Sequence, residues 1–184
     1  MRCFIGVPLK DWEEKVGEIL DTLAKKTIGI RWVKKENIHI TLKFLGETPE
    51  EKLASLSRVL KDIVPRYSAF YIERGELGAF PSSASPRVIW LGILDTSGNL
   101  SRIAQDIEDG LVVYGWEKER RRFHPHITLG RVKGGVNRKW WEKMRERELP
   151  DFPPIRVEEV ILYQSILSPQ GASYKPLEKV KLGG

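Results

Sequence analysis

Apolar residues fall at every second position over residues 2–7, 38–44, 68–80, 87–94 and 123–132, the spacing of strands with one buried face. Between these runs the period lengthens to three and four. Trp12, Val16, Ile19, Leu20 and Leu23 form one helical stripe, and Leu53, Leu56, Val59, Leu60 and Ile63 form a second. Leu100, Ile103, Ile107 and Leu111 form a third within residues 96–113, and residues 137–147 read as a further helix. Residues 30–33 read as a short edge strand, and residues 155–167 as one strand after the Pro153-Pro154 break. Pro8, Gly46 and Pro65 close elements, Gly29 lies beyond the first helix, and the Ser- and Pro-rich residues 81–86 predict a turn. Asp11, with Glu14 three positions later, predicts an N-cap and capping box; Thr48-Pro49-Glu50-Glu51 predicts the start of the second helix.

The order strand, helix, strand, helix, strand occurs twice. His39-Ile40-Thr41-Leu42 returns as His126-Ile127-Thr128-Leu129, displaced by 126 − 39 = 87 residues. Phe4-Ile5-Gly6-Val7 falls near Val88-Ile89-Trp90-Leu91, and Thr48-Pro49 near Asn137, at almost the same offset. This predicts an α+β fold made by internal duplication, with two lobes related by an approximate two-fold axis. The expected organisation is one bilobal domain over residues 1–184, with repeats at 1–83 and 87–167. Residues 168–184, with Tyr174 and Leu177, would add a final strand to one lobe.

The repeated tetrapeptide carries the candidate chemistry. In a strand, His and Thr two apart face one way while Ile and Leu face the other. Imidazole exchanges a proton near neutrality, so two of them can divide the roles of acid and base, and a hydroxyl beside each can bond an anionic oxygen. Two such strands across a cleft suit a phosphodiester without a metal. Taken singly, a strand His is more often structural, and Thr is common in strands for packing; repetition at matching places outweighs that reading. His124 shares the parity of His126, but Pro125 between them disturbs the alternation, and a peripheral or structural role is expected for it. No Cys-x-x-Cys or His-x-x-x-His spacing suggests a metal site, no Gly-x-Ser-x-Gly elbow suggests a serine nucleophile, and no Gly-rich phosphate loop is present.

Composition adds limits. The single cysteine, Cys3, allows no internal disulfide and sits in an apolar segment, so cytoplasmic residence is the default. No apolar run approaches the roughly 20 residues of a membrane helix, and the opening apolar stretch is short for a secretory signal. Lys plus Arg exceed Asp plus Glu by 31 − 25 = 6, which is compatible with a polyanionic partner. The run Lys118-Glu119-Arg120-Arg121-Arg122, just before the second motif, is a candidate for steering RNA phosphates. Lys43 shares parity with His39 and Thr41 and is expected at the site edge; Arg131 has the opposite parity unless its strand bulges. Phe44 and Phe123 are candidates for stacking on a base, with core packing the blander use of each.

These residues resemble the RNA 2′,3′-cyclic phosphodiesterases, also called 2′-5′ RNA ligases, of the 2H phosphoesterase superfamily. The two His-x-Thr-x motifs match at 39–42 and 126–129, as do residues 2–7, Gly78-Ala79-Phe80-Pro81, 86–90, Phe123-His124-Pro125-His126 and 165–174. The resemblance implies antiparallel sheets flanked by helices around a central groove, and metal-independent hydrolysis of RNA 2′,3′-cyclic phosphate ends to 2′-phosphates, with no cofactor. It implies reversible 2′-5′ ligation in some members. It also implies His39 as proton donor and His126 as proton acceptor, an order that residue types alone leave open, with Thr41 and Thr128 on the non-bridging oxygens. Lys43, Arg131 and Phe123 are then candidates for substrate binding. The expected partner is RNA with a cyclic end, tRNA fragments among them, met by a monomer with no membrane attachment. Two alternatives stand beside this: a non-catalytic RNA-binding protein, and a related phosphoesterase acting on a small cyclic nucleotide.

Overall fold

The alternating runs become strands and the longer-period runs become helices in a computed structural model that describes residues 1–25 and 29–184. The strands are β1 (Arg2–Pro8), β2 (Ile30–Trp32), β3 (His39–Glu47), β4 (Phe70–Ser82), β5 (Ser85–Leu94), β6 (His126–Val132), β7 (Ile155–Val157), β8 (Glu159–Ser168) and β9 (Gly171–Lys181). The α-helices are α1 (Glu13–Ala24), α2 (Leu53–Ile63), α3 (Asn99–Val112) and α4 (Arg138–Arg145). Among the described residues the strands form one antiparallel sheet in the order β7-β4-β5-β6-β3-β1-β8-β9, with β2 on the free side of β6. The α+β class and the bilobal layout of antiparallel strands flanked by helices are as the sequence predicted.

The lobes meet at a single ladder pair, Ile40 opposite Ile127. One lobe is β3-β1-β8-β9 and the other β7-β4-β5-β6, so each draws strands from both halves of the chain, where the repeats at 1–83 and 87–167 predicted one half per lobe. The helices follow suit: α2 and α3 pack together beneath β3 and β9, whereas α4 packs on β4, and Ile19 and Leu23 of α1 line one cavity with Leu77 of β4 and Met144 of α4. The four predicted helical residues of α3 are fully buried, as are Val16, Leu56 and Leu60. Each such Leu or Ile contributes about 1.5–3 kcal/mol by leaving water. One continuous apolar core therefore underlies both lobes and holds β3 and β6 side by side.

Several boundaries differ from the sequence reading, each for a local reason. Asp11 caps nothing; residues Lys10–Trp12 form a 3₁₀ turn, because the fully buried Trp12 donates its indole N–H to the Pro153 carbonyl at 2.7 Å. Thr48 is also no cap. It is buried, its hydroxyl donates to the Gly46 carbonyl at 3.1 Å, and a 3₁₀ turn over Glu50–Lys52 precedes α2. Residues 155–167 are not one strand: Ile155–Val157 pairs with β4 and residues 161–165 pair with β1, on opposite lobes. The β6 strand begins at His126, not at residue 123, since Pro125 has no N–H to give a ladder. Asn137, by contrast, is a true cap, its side chain accepting from the Trp140 amide at 3.0 Å.

Candidate active site

Because Ile40 and Ile127 are the same position of the two motif copies, their pairing puts a local two-fold axis at the junction of β3 and β6. Both isoleucines are fully buried and point into the core. The flanking residues face the other way, so His39, Thr41, His126 and Thr128 gather on one surface around that axis, all half-buried. The duplicated motif therefore builds one site.

Each imidazole is oriented by backbone. His39 Nδ1–H donates to the Asn37 carbonyl at 2.8 Å, and His126 Nδ1–H donates to the His124 carbonyl at 2.6 Å. A carbonyl only accepts, so both neutral rings carry their proton on Nδ1 and leave the Nε2 lone pair for the cleft. In one half that lone pair accepts from the Thr41 hydroxyl at 2.9 Å.

Aromatic walls surround both rings. His39 lies 4.6 Å from Phe4 and 5.2 Å, edge-on, from Tyr174, with Tyr163 at 6.4 Å. It fits because Gly6 lies beneath it: a Cβ there would stand 2.8 Å from the Ile40 carbonyl and 3.5 Å from the His39 ring. His126 lies 5.0 Å, edge-on, from Phe80, with His124 at 5.9 Å and Trp90 at 6.1 Å. Gly78 makes room for that indole, since any Cβ would collide with it at 2.2 Å.

Burial sets the electrostatics. His39 is pushed down to about 4, first by burial and further by the charge of His126, against the Asn37 carbonyl, which favours the cation. His126 is also lowered, first by burial and then by His124 and Arg131, again against its carbonyl partner. Burial raises Tyr163 to about 12, with Glu159 adding to it, and burial raises Tyr174. Both imidazoles are thus held toward the neutral form at pH 7, and the charge of His126 disfavours that of His39. Among the described residues no group of three His, Cys, Asp or Glu side chains is gathered that could hold a metal ion.

A bulge in each active strand decides the neighbours. Between Thr41 and Lys43 the register against β1 slips by one, and between Thr128 and Gly130 the register against β5 slips by one. Leu42 and Leu129, the fourth residue of each motif, are the extra residues. Parity is therefore reversed beyond them. Lys43 does not reach the site: it is buried on the helix side, its ammonium 2.9 Å from Glu108 of α3 and donating to the Glu117 carbonyl at 2.7 Å. Phe44 and Arg131 turn instead to the cleft face. Phe44 is 66% exposed with its ring 6.5 Å from Phe4, whereas Phe123 is packed against the core and offers no comparable face. Arg131 is exposed beyond the bulge, and its charge lowers His126 in one lobe and Tyr174 in the other.

His124 lies at the site's rim, 4.7 Å from Trp90, and serves His126 through its carbonyl. In the basic run, Lys118 pairs with Asp109 at 2.6 Å, and Arg120, Arg121 and Arg122 are exposed. Reading by motif missed Phe4, Asn37, Phe80, Trp90, Tyr163 and Tyr174, which carry no shared spacing signal. Only the glycines at 6 and 78, small residues inside strands, hinted at something lying over the backbone.

Known proteins are similar to this chain over nearly its whole length. A protein of Aeropyrum pernix named RNA 2′,3′-cyclic phosphodiesterase is 38% identical over 168 residues, 91% of this chain and 94% of its own. One of Thermotoga maritima with the same name is 36% identical, over 100% of this chain and 97% of its own. Among solved structures, E. coli LigT complexed with 3′-AMP superposes with a TM-score of 0.77 at 28% identity, covering 98% of this chain and 97% of that one. The LigT like Phosphoesterase model matches residues 7–90 and 93–174, segments that hold one His-x-Thr motif each, and the chain belongs to that family.

Proposed function

We propose that the protein hydrolyses RNA 2′,3′-cyclic phosphate ends to 2′-phosphomonoesters by two-histidine acid and base catalysis. The observation that carries this is the placement of His39-Thr41 and His126-Thr128 about the axis at the Ile40–Ile127 pair. The names of relatives with 35–38% identity support the reaction class.

A phosphodiester brings one negative charge, which raises the depressed pKa of any imidazole beside it. Mutual repulsion keeps one proton between the two rings, the state that acid–base catalysis needs. His126 takes a proton from water as its oxygen attacks phosphorus. His39 gives a proton to the departing 3′ oxygen, the P–O3′ bond breaks, and the P–O2′ bond survives. Thr41 and Thr128 donate to the non-bridging oxygens as charge builds there, and Arg131 adds positive field from the cleft face. A 5′-hydroxyl of a second RNA in the place of water gives a 2′-5′ linkage. No metal takes part, so turnover is expected to survive chelators; dependence on an added divalent ion would contradict this. The physiological setting we propose is cytoplasmic, with tRNA fragments among the substrates and the protein monomeric. Among the described residues no helix is long and apolar enough to cross a membrane.

One observation favours the exchanged roles: burial and the charge of His126 hold His39 down to about 4, which favours its neutral, proton-accepting form. A substrate with sulfur at the 3′ bridging position separates the two assignments. Its leaving group needs no acid, so replacing the donor is tolerated and replacing the acceptor is not.

The test of the reaction is product analysis on RNA bearing a cyclic end. A 2′-monoester is expected. A 3′-monoester, or binding without turnover, would contradict the reading.

A further inference from the structure

Asn37 closes a 3₁₀ turn over Lys35–Asn37 and bonds in two directions. Its carbonyl accepts from His39 Nδ1–H at 2.8 Å, and its side-chain amide donates to the Ala172 carbonyl of β9, also at 2.8 Å. A carbonyl only accepts, so the amide nitrogen is the atom that faces Ala172. The ladder alone would keep the two apart. His39 pairs with Pro8 at one end of β1, whereas Ala172 pairs with Leu167, which lies beyond the Ser165–Arg2 pair at the other end. Those ends of β1 are about 20 Å apart along the strand. The contact therefore needs the β8-β9 hairpin to curl over the site face, and a bulge at Leu177 bends β9. On that face Tyr174, two residues after Ala172, meets His39 edge-on at 5.2 Å and Phe4 at 4.9 Å.

One side of the His39 ring is thus covered by a hairpin, and one side-chain bond fastens that hairpin to the residue that orients the imidazole. The matching residue of the other half is His124, whose carbonyl orients His126; its ring packs on Trp90 at 4.7 Å and on Phe80 at 5.5 Å. There the orienting residue is held by neighbours in its own lobe's aromatic wall, whereas Asn37 reaches to the edge strand β9. We infer that Asn37 is a positioning residue: its amide pins the β8-β9 hairpin across His39, which keeps that imidazole enclosed and its Nε2 aimed at the cleft. The effect on turnover rests on the reaction proposed above.

The test is Asn37→Ala, followed by side-chain NMR of both histidines and by kinetics on RNA with a cyclic end. The variant keeps the backbone carbonyl, so a change at His39 comes through the hairpin. The titratable and charged groups on the surrounding elements are His126 of β6, Tyr163 of β8 and Tyr174 of β9, with Arg2 and Arg131 acting on Tyr174. Burial is the first cause that holds His39 at about 4, so loosening the hairpin should raise its midpoint toward roughly 6.5, with His126 moving less. On the same variant kcat is expected to fall roughly tenfold with KM little changed. Asn37→Gln keeps an amide donor on a longer stem and should recover part of both. An unmoved His39 midpoint, an unchanged kcat, or an equal shift at both histidines overturns the assignment. A parent protein inactive on cyclic-ended RNA would instead overturn the reaction, while the NMR comparison would still test the tether.

Discussion

The two half-sites share four letters and differ in almost everything around them. His39 lies among Phe4, Tyr163 and Tyr174, bonds the Thr41 hydroxyl, and is driven to about 4. His126 lies among Phe80, Trp90 and His124, near Arg131, and is lowered for the same first reason. The bulges diverge too. Past Leu42 the chain sends a lysine into the core and a phenylalanine to the cleft; past Leu129 it sends a glycine inward and an arginine to the cleft. The repeated motif supplies the symmetry that the proposed scheme needs for two imidazoles to face one phosphorus. Residues outside the motif then make the halves unequal, as the proposed separate acid and base roles require.

The largest expected effect is on turnover. His39→Ala and His126→Ala should each lower kcat by roughly 10²–10⁴-fold, measured on an RNA with a cyclic end. If only one mattered, the pairing of half-sites would be wrong. Next is stability. Lys43→Met leaves Glu108 buried without its partner, at a cost of about 3–5 kcal/mol in denaturant unfolding. Replacing both with apolar residues should recover most of it, and failure to recover would mean the lysine does more than its buried pairing implies.

The pH dependence sharpens the contrast further. A folded His39 near 4 binds fewer protons than the unfolded chain between that value and roughly 6.5, so stability should rise with pH across this window and fall as pH drops through it. The contribution is at most about 3 kcal/mol, and His39→Gln should flatten the slope, read from unfolding midpoints between pH 4 and pH 7. The smallest effect is at the hydroxyls. Thr41→Val and Thr128→Val should each cost roughly tenfold in kcat/KM, with melting unchanged.

Much of this was legible in the chain. The stripes of α1, α2 and α3 and the alternation at 38–42 and 126–129 needed only local periodicity: the apolar residues pack into the core, and the histidines and threonines are half-buried on the other face. Lys43 was misplaced because parity counting assumes a regular ladder, and nothing in residue type marks Leu42 as an extra residue. The same blindness left Arg131 undecided. The predicted caps at Asp11 and Thr48 failed because distant partners, Pro153 for Trp12 and Met1 for the Thr48 amide, overrode local preference. Which strands share a lobe depends on long-range pairing, and so do the aromatic walls that set the two pKa values.

The most direct measurement follows the side-chain nitrogens of both histidines by NMR as one equivalent of a nucleoside 2′-monophosphate, the product form, is added. The account predicts that His39 and His126 Nε2 respond together and saturate at the same ligand ratio, with both pKa values raised. A response from one ring alone, or two responses with different saturation, would contradict a single phosphate held between them.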